Sequence, residues 1–169
     1  DIINNDLANT IGNLLNRTLS MSRKWFDNKV PDNEKISSEN KLEQLAKISV
    51  ESYHKKFSKY KLDLAANEVL NLAINTNLYL NDNQPWLLIK EKDNLPFVKE
   101  IIYNVLESTR IIGLLLLPLL PELSSKIDSQ LGSLYKKEIP WDQQLKWGLL
   151  ISNSSLPTPS PVINKLEYE

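Results

Sequence analysis

Apolar residues recur every three or four positions along most of this chain, and that spacing predicts α-helices. The clearest stripe lies near the start and comprises Leu7, Ile11, Leu14, Thr18, Met21 and Trp25. Projected at 100° per residue, these positions fall within roughly 60° of one another, which is typical of a helix that buries one face. The pair Asp27 and Asn28, followed by Pro31, predicts the end of this first helix.

Two more helices are predicted before residue 85. The second covers about residues 39–58, with Ser37 or Ser38 as its N-cap. Its expected inward positions are Leu42, Leu45, either Ile48 or Ser49, Ser52 and Tyr53. The third covers about residues 61–81 and stops in the polar segment 81–85. Its apolar positions include Leu64, Ala65, Val69, Leu72, Ile74 and Tyr79.

The fourth and fifth helices follow. Asn94 is the predicted cap of the fourth, which tolerates Pro96 in its first turn and runs to Leu117, before Pro118. The fifth covers residues 119–131, and Gly132 is its predicted C-cap. The pattern therefore predicts an all-α fold, an antiparallel bundle of about five helices over residues 1–132.

Residues 133–169 show a different pattern. They hold four of the nine prolines and no helical stripe. We expect an extended Pro-rich tail that adds at most a short strand or hairpin, and that packs on the bundle through Trp141, Trp147 and Leu149.

Composition excludes several kinds of chemistry. The 169 residues include no cysteine and a single histidine, His54. Disulfides, thiolate metal sites and cysteine nucleophiles are therefore excluded, and neither a histidine zinc cluster nor a Ser-His-Asp triad can form. Only four glycines occur, without a phosphate-binding glycine motif. We predict no catalytic residue and no metal site.

Charge and hydropathy add two expectations. Twenty basic and 21 acidic residues give a net charge of -1, so neither a polybasic arm nor an acidic tail dominates the chain. The longest apolar run, residues 111–120, contains Gly113 and Pro118 and is far shorter than the roughly 20 residues needed to cross a bilayer. No signal pattern begins the chain, so we expect no membrane association and a reducing, cytoplasmic compartment.

A polar row lies opposite the apolar stripe of the first helix. Asn9, Asn13 and Arg17 project at about 180°, 220° and 260°, and they span about 12 Å along the axis. Amides both donate and accept hydrogen bonds, and arginine adds a charged planar fork, so this set can read the edges of unpaired bases. A solvated helix face is the other interpretation of the same residues.

Pro85 and Trp86 form the second candidate feature, in the loop that follows the third helix. Trp86 either fills the core or presents a flat face on which a base can stack. In the second case Lys90 and Lys92 can meet phosphates. Because the first and third helices of an up-down bundle run the same way, Trp86 is expected nearer Arg17 than Asn9.

Other polar residues are given structural interpretations. We expect His54 to be a surface or boundary residue rather than a base, and Arg110 to form an internal pair or cap. A basic cluster at the end of the second helix is interpreted as a solvated helix end rather than a phosphate track: Lys55, Lys56, Lys59 and Lys61.

These features together carry a family resemblance that covers nearly the whole chain. Residues 6–18, DLANTIGNLLNRT, resemble the start of the anticodon-binding domain of methionyl-tRNA synthetases. Three later landmarks agree in order: Asn77 and Tyr79 before Pro85, Trp86 and Lys90; Arg110 before Pro118, Leu120 and Pro121; and Trp147, Gly148 and Leu149 before a Pro-rich stretch ending at Lys165.

The resemblance implies roles for the two candidate features. It implies that Asn13 and Arg17 contact bases of the CAU anticodon, that Trp86 stacks on the first of these bases, and that Pro85 orients Trp86. Asn9 matches a further asparagine found on that face in some members.

The resemblance also implies a larger parent. Family members join methionine to its tRNA with ATP and Mg²⁺ in a Rossmann-type catalytic domain whose HIGH and KMSKS motifs do not occur here. These residues therefore resemble a C-terminal domain without chemistry or cofactor of its own, and the tail packs on the bundle or toward the catalytic domain. The implied partners are the anticodon loop of methionine tRNA and the N-terminal catalytic domain of the same chain.

Two further expectations concern assembly and rival functions. Some members carry an appended tRNA-binding, dimer-forming domain that these residues lack, so the resemblance implies a monomer. The alternatives are the anticodon-binding domain of another class I synthetase and a helical protein-interaction module. Asn13 and Arg17 together with Pro85 and Trp86 argue against the first, and the second predicts a contiguous exposed apolar patch.

Overall fold

The structure, a computed structural model, describes residues 2–158 and 160, and all of its named elements are helical. The five longer helices are α1 (Ile2–Phe26), α2 (Lys41–Phe57), α3 (Leu62–Asn83), α5 (Leu95–Leu116) and α6 (Pro121–Gln130). The short elements are α4 (Pro85–Leu88), a 3₁₀ turn (Lys92–Asn94) and α7 (Trp141–Gln144). The predicted all-α bundle is confirmed. Pro159, Pro161 and Lys165 of the predicted tail lie outside the described residues.

Helix α5 is the centre of the bundle. It is buried at Val98 and at every position from Glu100 to Leu116, and it packs against α1, α2, α3, α4 and α6. A helix that is buried on nearly all sides must be surrounded by other elements of the fold. The remaining helices therefore form a layer around α5.

The stripe of α1 is confirmed. Leu7, Ile11, Leu14 and Thr18 are buried, and Met21 and Trp25 pack against the core at its margin. The helix ends at Phe26, and both Asp27 (φ 53°) and Asn28 (φ 57°) adopt the left-handed conformation. Asparagine and aspartate tolerate this conformation better than most residues, which is why the pair ends the helix.

The predicted cap of α2 is wrong. Asn40 is the N-cap, and its side-chain oxygen accepts from the Glu43 N–H at 3.1 Å. Ser37 instead donates its backbone N–H and its hydroxyl to the buried Glu100 carboxylate, with the hydroxyl at 2.9 Å. A long-range partner thus removes Ser37 from the capping position. Of the two inward alternatives, Ser49 is buried and Ile48 is 66% exposed.

The position of Trp86 differs from the sequence prediction, which placed it in a loop. Gln84 adopts the left-handed conformation (φ 45°), and its carbonyl accepts from the N–H groups of Leu87 and Leu88. Pro85 then begins the one-turn helix α4, as proline readily does because its φ is already helical. Trp86 is therefore held in a helical turn.

The ends of α5 and α6 lie close to the positions that the sequence predicts. Asn94 precedes α5 as predicted, but its side chain makes no capping hydrogen bond. Helix α5 ends just before Pro118, and Gly132 follows α6 with a φ of +104° that favours glycine. At Gly113 a Cβ atom would lie 2.9 Å from Ile127 Cγ2, so the missing side chain lets α6 pack closely on α5.

Two of the three predicted anchors of the tail, Trp141 and Trp147, pack against the core. Trp141 donates its indole N–H to the Leu114 carbonyl at 2.9 Å, and Trp147 is partly buried. Leu149 is 47% exposed, so its predicted anchoring role is wrong. The buried apolar residues of the tail are Leu145, Leu150 and Leu156. Helix α7 was also not predicted.

A short backbone pairing joins the tail to the segment after α1. Val30 donates to the Ser154 carbonyl at 3.0 Å, and Asn153 donates to the Val30 carbonyl at 2.8 Å. Lys29 and Ser155 form an isolated antiparallel bridge. The tail therefore crosses the C-terminal end of α1.

A buried ion pair joins the tail to α5. Arg110 donates two hydrogen bonds to Glu107, at 2.7 and 2.6 Å, and it also donates to the carbonyls of Gln144 and Lys146. The Glu107 carboxylate accepts the backbone N–H groups of Gly148, Leu149 and Leu150. The expectation that Arg110 forms an internal pair or cap is confirmed. Leu149 and Leu150 both donate to Glu107, and of these two side chains only that of Leu150 is buried.

We predict that Glu107→Gln destabilises the fold by about 3–5 kcal/mol, because it leaves the buried Arg110 charge without its partner. Urea unfolding followed by circular dichroism measures the change. The matched control is Lys47→Ala, which removes an exposed pair with Glu43 and should change the free energy of unfolding by less than about 1 kcal/mol. Similar effects of the two substitutions would contradict the role assigned to Glu107.

A second stability prediction concerns Tyr53, which packs among Phe57, His54 and Trp141. Burial raises the pKa of Tyr53 to about 12, against about 10 in the unfolded chain. The neutral hydroxyl is thus favoured in the folded state, so its stabilising effect is complete below pH 10 and declines as the pH rises toward 12. Near pH 11, the free energy of unfolding of Tyr53→Phe should therefore have fallen by about 1 kcal/mol less than that of the unaltered chain. Urea titrations at several pH values measure this difference. An identical loss in both proteins would contradict this prediction.

Candidate nucleic-acid interface

The polar row on α1 faces solvent. Asn9, Asn13 and Arg17 are all exposed, on the side of the helix opposite the buried stripe. This is the placement that the projection at 100° per residue predicts. The side chains are therefore available to a ligand, and the core does not depend on them.

Arg17 is held in a defined position by the neighbouring helix α3. Its Nη1 donates to Asn77 Oδ1 at 3.3 Å, and its Nη2 donates to Asn81 Oδ1 at 3.1 Å. Both acceptors are neutral amides, so neither of them offsets the positive charge of the guanidinium. It also keeps N–H donors that these two bonds do not use.

Trp86 lies beside the same guanidinium. The Arg17 Cζ atom is 5.5 Å from the centroid of the Trp86 ring, within the range of a cation–π interaction. The ring is partly buried and packs against the core, and Pro85 before it is buried. Trp86 thus anchors α4 and still presents part of its surface, and it lies near Arg17 as the topology argument predicts.

Helices α1, α3 and α4 contribute to one surface, which we call the Arg17–Trp86 face. It consists of Asn9, Asn13 and Arg17 of α1, Asn77 and Asn81 of α3, and Trp86 of α4. It combines an aromatic ring with amide and guanidinium donors. A flat ring favours stacking of a planar group, and the neighbouring donors can bind the edge of that group. An unpaired nucleobase has both properties.

Sequence reasoning missed Asn77 and Asn81 as members of this face. In the sequence, Asn77 stands out only as a family landmark, and Asn81 only as part of the polar stop after the third helix. Their spacing of four residues matches that of Asn13 and Arg17, and it places both amides on one side of α3. The spacing alone predicts that the two amides share one side of α3, but it does not predict which helix that side faces.

The remaining candidates have structural environments. His54 is partly buried, with Nε2 3.7 Å from Asp142 Oδ1 and its ring 5.3 Å from that of Trp141, as expected for a boundary residue. In the basic cluster, Lys56 forms an ion pair with Glu68, and the other lysines are exposed: Lys55, Lys59 and Lys61. Lys90 and Lys92 are exposed beyond α4.

The described residues offer neither a metal-binding cluster nor a membrane-spanning helix. No group of three or more histidine, aspartate or glutamate residues there could hold a metal ion. None of the helices in that part of the chain has the length and apolar content needed to cross a membrane.

Comparison with known proteins identifies the domain. Residues 30–169 match the family model of the anticodon binding domain of methionyl tRNA ligase. The chain belongs to this family. The family match confirms the resemblance read from the sequence, and it favours that interpretation over a different class I synthetase or a protein-interaction module.

Relatives of the anticodon-binding domain cover almost the whole chain. The methionine–tRNA ligase of Thermosynechococcus vestitus is 36% identical over 173 residues, which include 98% of this chain and 32% of the relative. The ligase of Lactococcus lactis is 32% identical over 169 residues, which include 99% of this chain and 25% of the relative. These alignments include α1, which precedes the range matched by the family model.

A solved structure shows the same fold. The apo form of Mycobacterium tuberculosis methionyl-tRNA synthetase superposes with a TM-score of 0.86 at 29% identity, covering 99% of this chain and 34% of that one. The present chain thus spans about a third or less of the length of these relatives.

We predict that the polar row of α1 contributes little to folding. Because Arg17 is exposed, Arg17→Ala should change the free energy of unfolding by less than about 1 kcal/mol. Leu14→Ala, on the buried stripe of the same helix, should cost about 2–5 kcal/mol. Urea unfolding of the two variants tests the contrast, and a large loss for Arg17→Ala would show that the polar row is part of the core packing.

Proposed function

We propose that this domain recognises the CAU anticodon of methionine tRNA, and that the Arg17–Trp86 face reads its first base. The observation that carries the proposal is the 5.5 Å separation between the Arg17 guanidinium and the Trp86 ring on the surface of an anticodon-binding domain. Asn13 and Asn9 extend the same face along α1, and Pro85 sets the position of Trp86 at the start of α4.

Stacking supplies the part of the binding that does not depend on base identity. The anticodon loop unstacks, and its first base lies on the accessible part of the Trp86 ring. Such base–aromatic stacking is worth about 1–3 kcal/mol per base. Because every base has a flat π surface, stacking alone selects no particular base.

Hydrogen bonding supplies the selectivity. The pairing edge of cytosine carries two acceptors and one amino donor, so the N–H groups of Arg17 meet acceptors and the Asn13 amide can meet either kind of group. Uracil presents an N–H at the central position of that edge. A wrong base therefore leaves buried polar groups unpaired, at a cost of about 1–3 kcal/mol for each group.

The proposal extends to the parent enzyme. We propose that it is a methionine–tRNA ligase that acts in the cytoplasm as a monomer and joins methionine to tRNA with ATP and Mg²⁺. The proposal assigns those cofactors to an N-terminal catalytic domain, since this chain spans only 32% of the length of a related methionine–tRNA ligase. Anticodon binding then contributes to catalysis by placing the distant acceptor end of the tRNA correctly.

The proposal predicts that Trp86→Ala weakens binding of a CAU anticodon stem-loop by about tenfold or more, through the loss of stacking. Fluorescence anisotropy at low salt is the appropriate measurement, since a net charge of -1 provides little general attraction for RNA. The matched control is Leu87→Ala, an exposed apolar neighbour on the same helical turn, which should change the affinity by less than about twofold.

A second stem-loop with uracil at the first anticodon position tests the selectivity. The unaltered chain should bind it about tenfold or more weakly than the CAU loop. Equal binding of the two loops, or no effect of Trp86→Ala, would refute the proposed recognition of the first base.

A further inference from the structure

We propose that Asn77 and Asn81 are positioning residues that hold the Arg17 guanidinium in place to select the first anticodon base. This inference rests on the proposed function. It assigns a specificity role to two side chains of α3 that do not themselves need to touch the RNA.

The geometry matches the shape of the guanidinium. The two Nη atoms of Arg17 each donate to a different amide oxygen, Asn77 Oδ1 at 3.3 Å and Asn81 Oδ1 at 3.1 Å. The two asparagines are one helical turn apart, about 6 Å along the α3 axis. Two separate attachment points fix the rotation of the planar group as well as its position.

A fixed guanidinium differs in binding from a free one. An exposed arginine has many rotamers, and a ligand must order them when it binds. Here α1 and α3 pack together, and the two amides order the side chain before RNA arrives. A base that stacks on Trp86 then meets donors at fixed positions, and only a base with matching acceptors satisfies them.

The chemical nature of the two acceptors supports the same role. Neutral amide oxygens hold the guanidinium without cancelling its charge, and N–H donors of Arg17 remain for a ligand. Because Arg17 and Asn81 are exposed, these hydrogen bonds add little to folding stability. Their main effect is therefore on the orientation of Arg17 beside the Trp86 ring.

The test measures the ratio of dissociation constants for the uracil-containing and CAU stem-loops. In the double variant Asn77→Ala with Asn81→Ala, this ratio should fall by about tenfold, because the donors lose their fixed orientation. Asn81→Asp keeps an acceptor oxygen for Arg17 and should preserve the ratio, while its negative charge weakens the binding of both stem-loops. The matched control Asn71→Ala lies on an exposed face of α3, about 15 Å from Asn81 along the axis, and should leave the ratio within about twofold.

A double-mutant cycle separates positioning from direct contact. If the asparagines act through Arg17, adding the two alanine substitutions to Arg17→Ala should cause no further change in the ratio. If the two alanine substitutions lower the ratio in the Arg17→Ala background as much as they do in the unaltered chain, the proposal is overturned. That result would mean that the amides bind the RNA themselves. An unchanged ratio in the double alanine variant would also overturn it, and thermal melting confirms that each variant is folded.

The outcomes distinguish this inference from the proposed function. If Arg17→Ala and Trp86→Ala both leave binding of the CAU loop unaffected, the recognition of the first base fails. If those two substitutions weaken binding while the asparagine variants keep the full ratio, only the positioning role fails.

Discussion

The burial of α5 is the constraint on which the rest of the structure depends. A helix buried at every position from Glu100 to Leu116 must be surrounded, and α1, α2, α3, α4 and α6 surround it. Its interior also contains charges, because Glu107 and Arg110 lie within the buried run. Those charges are compatible with the core because they pair with each other and with the backbone of the tail. The central helix thus determines both the bundle and the path of the segment after it.

The candidate site is a consequence of this arrangement. Packing around α5 brings α1 and α3 together, and α4 follows α3 with one residue between them. Arg17 comes from the first of these helices, its amide partners from the second and Trp86 from the third. Each side chain is on a packed helix, which fixes its position, and Trp86 also packs against the core. Recognition and stability are therefore assigned to opposite faces of α1.

The sequence predicts those features that depend on local geometry. The stripe and the polar row of α1 follow from helical spacing alone, and Gly132 ends α6 because its φ is positive. The resemblance adds the family, which the comparisons confirm. Features that depend on distant partners were missed. Ser37 binds Glu100 instead of capping α2, and the turn that brings the N–H groups of residues 148–150 to Glu107 leaves Leu149 exposed. The pairing of Arg17 with Asn77 belongs to the same class, since spacing along one helix does not reveal the neighbouring helix.

The central claim is that an RNA base reaches the ring beside Arg17, and NMR spectroscopy of the four tryptophan indole N–H groups tests it most directly. In a titration of the ¹⁵N-labelled chain with the CAU stem-loop, the account predicts that the Trp86 signal shifts. The Trp141 signal should stay unchanged, because that indole N–H is bonded to the Leu114 carbonyl inside the fold. A Trp86 signal that does not move when the RNA is bound at saturation would contradict the account.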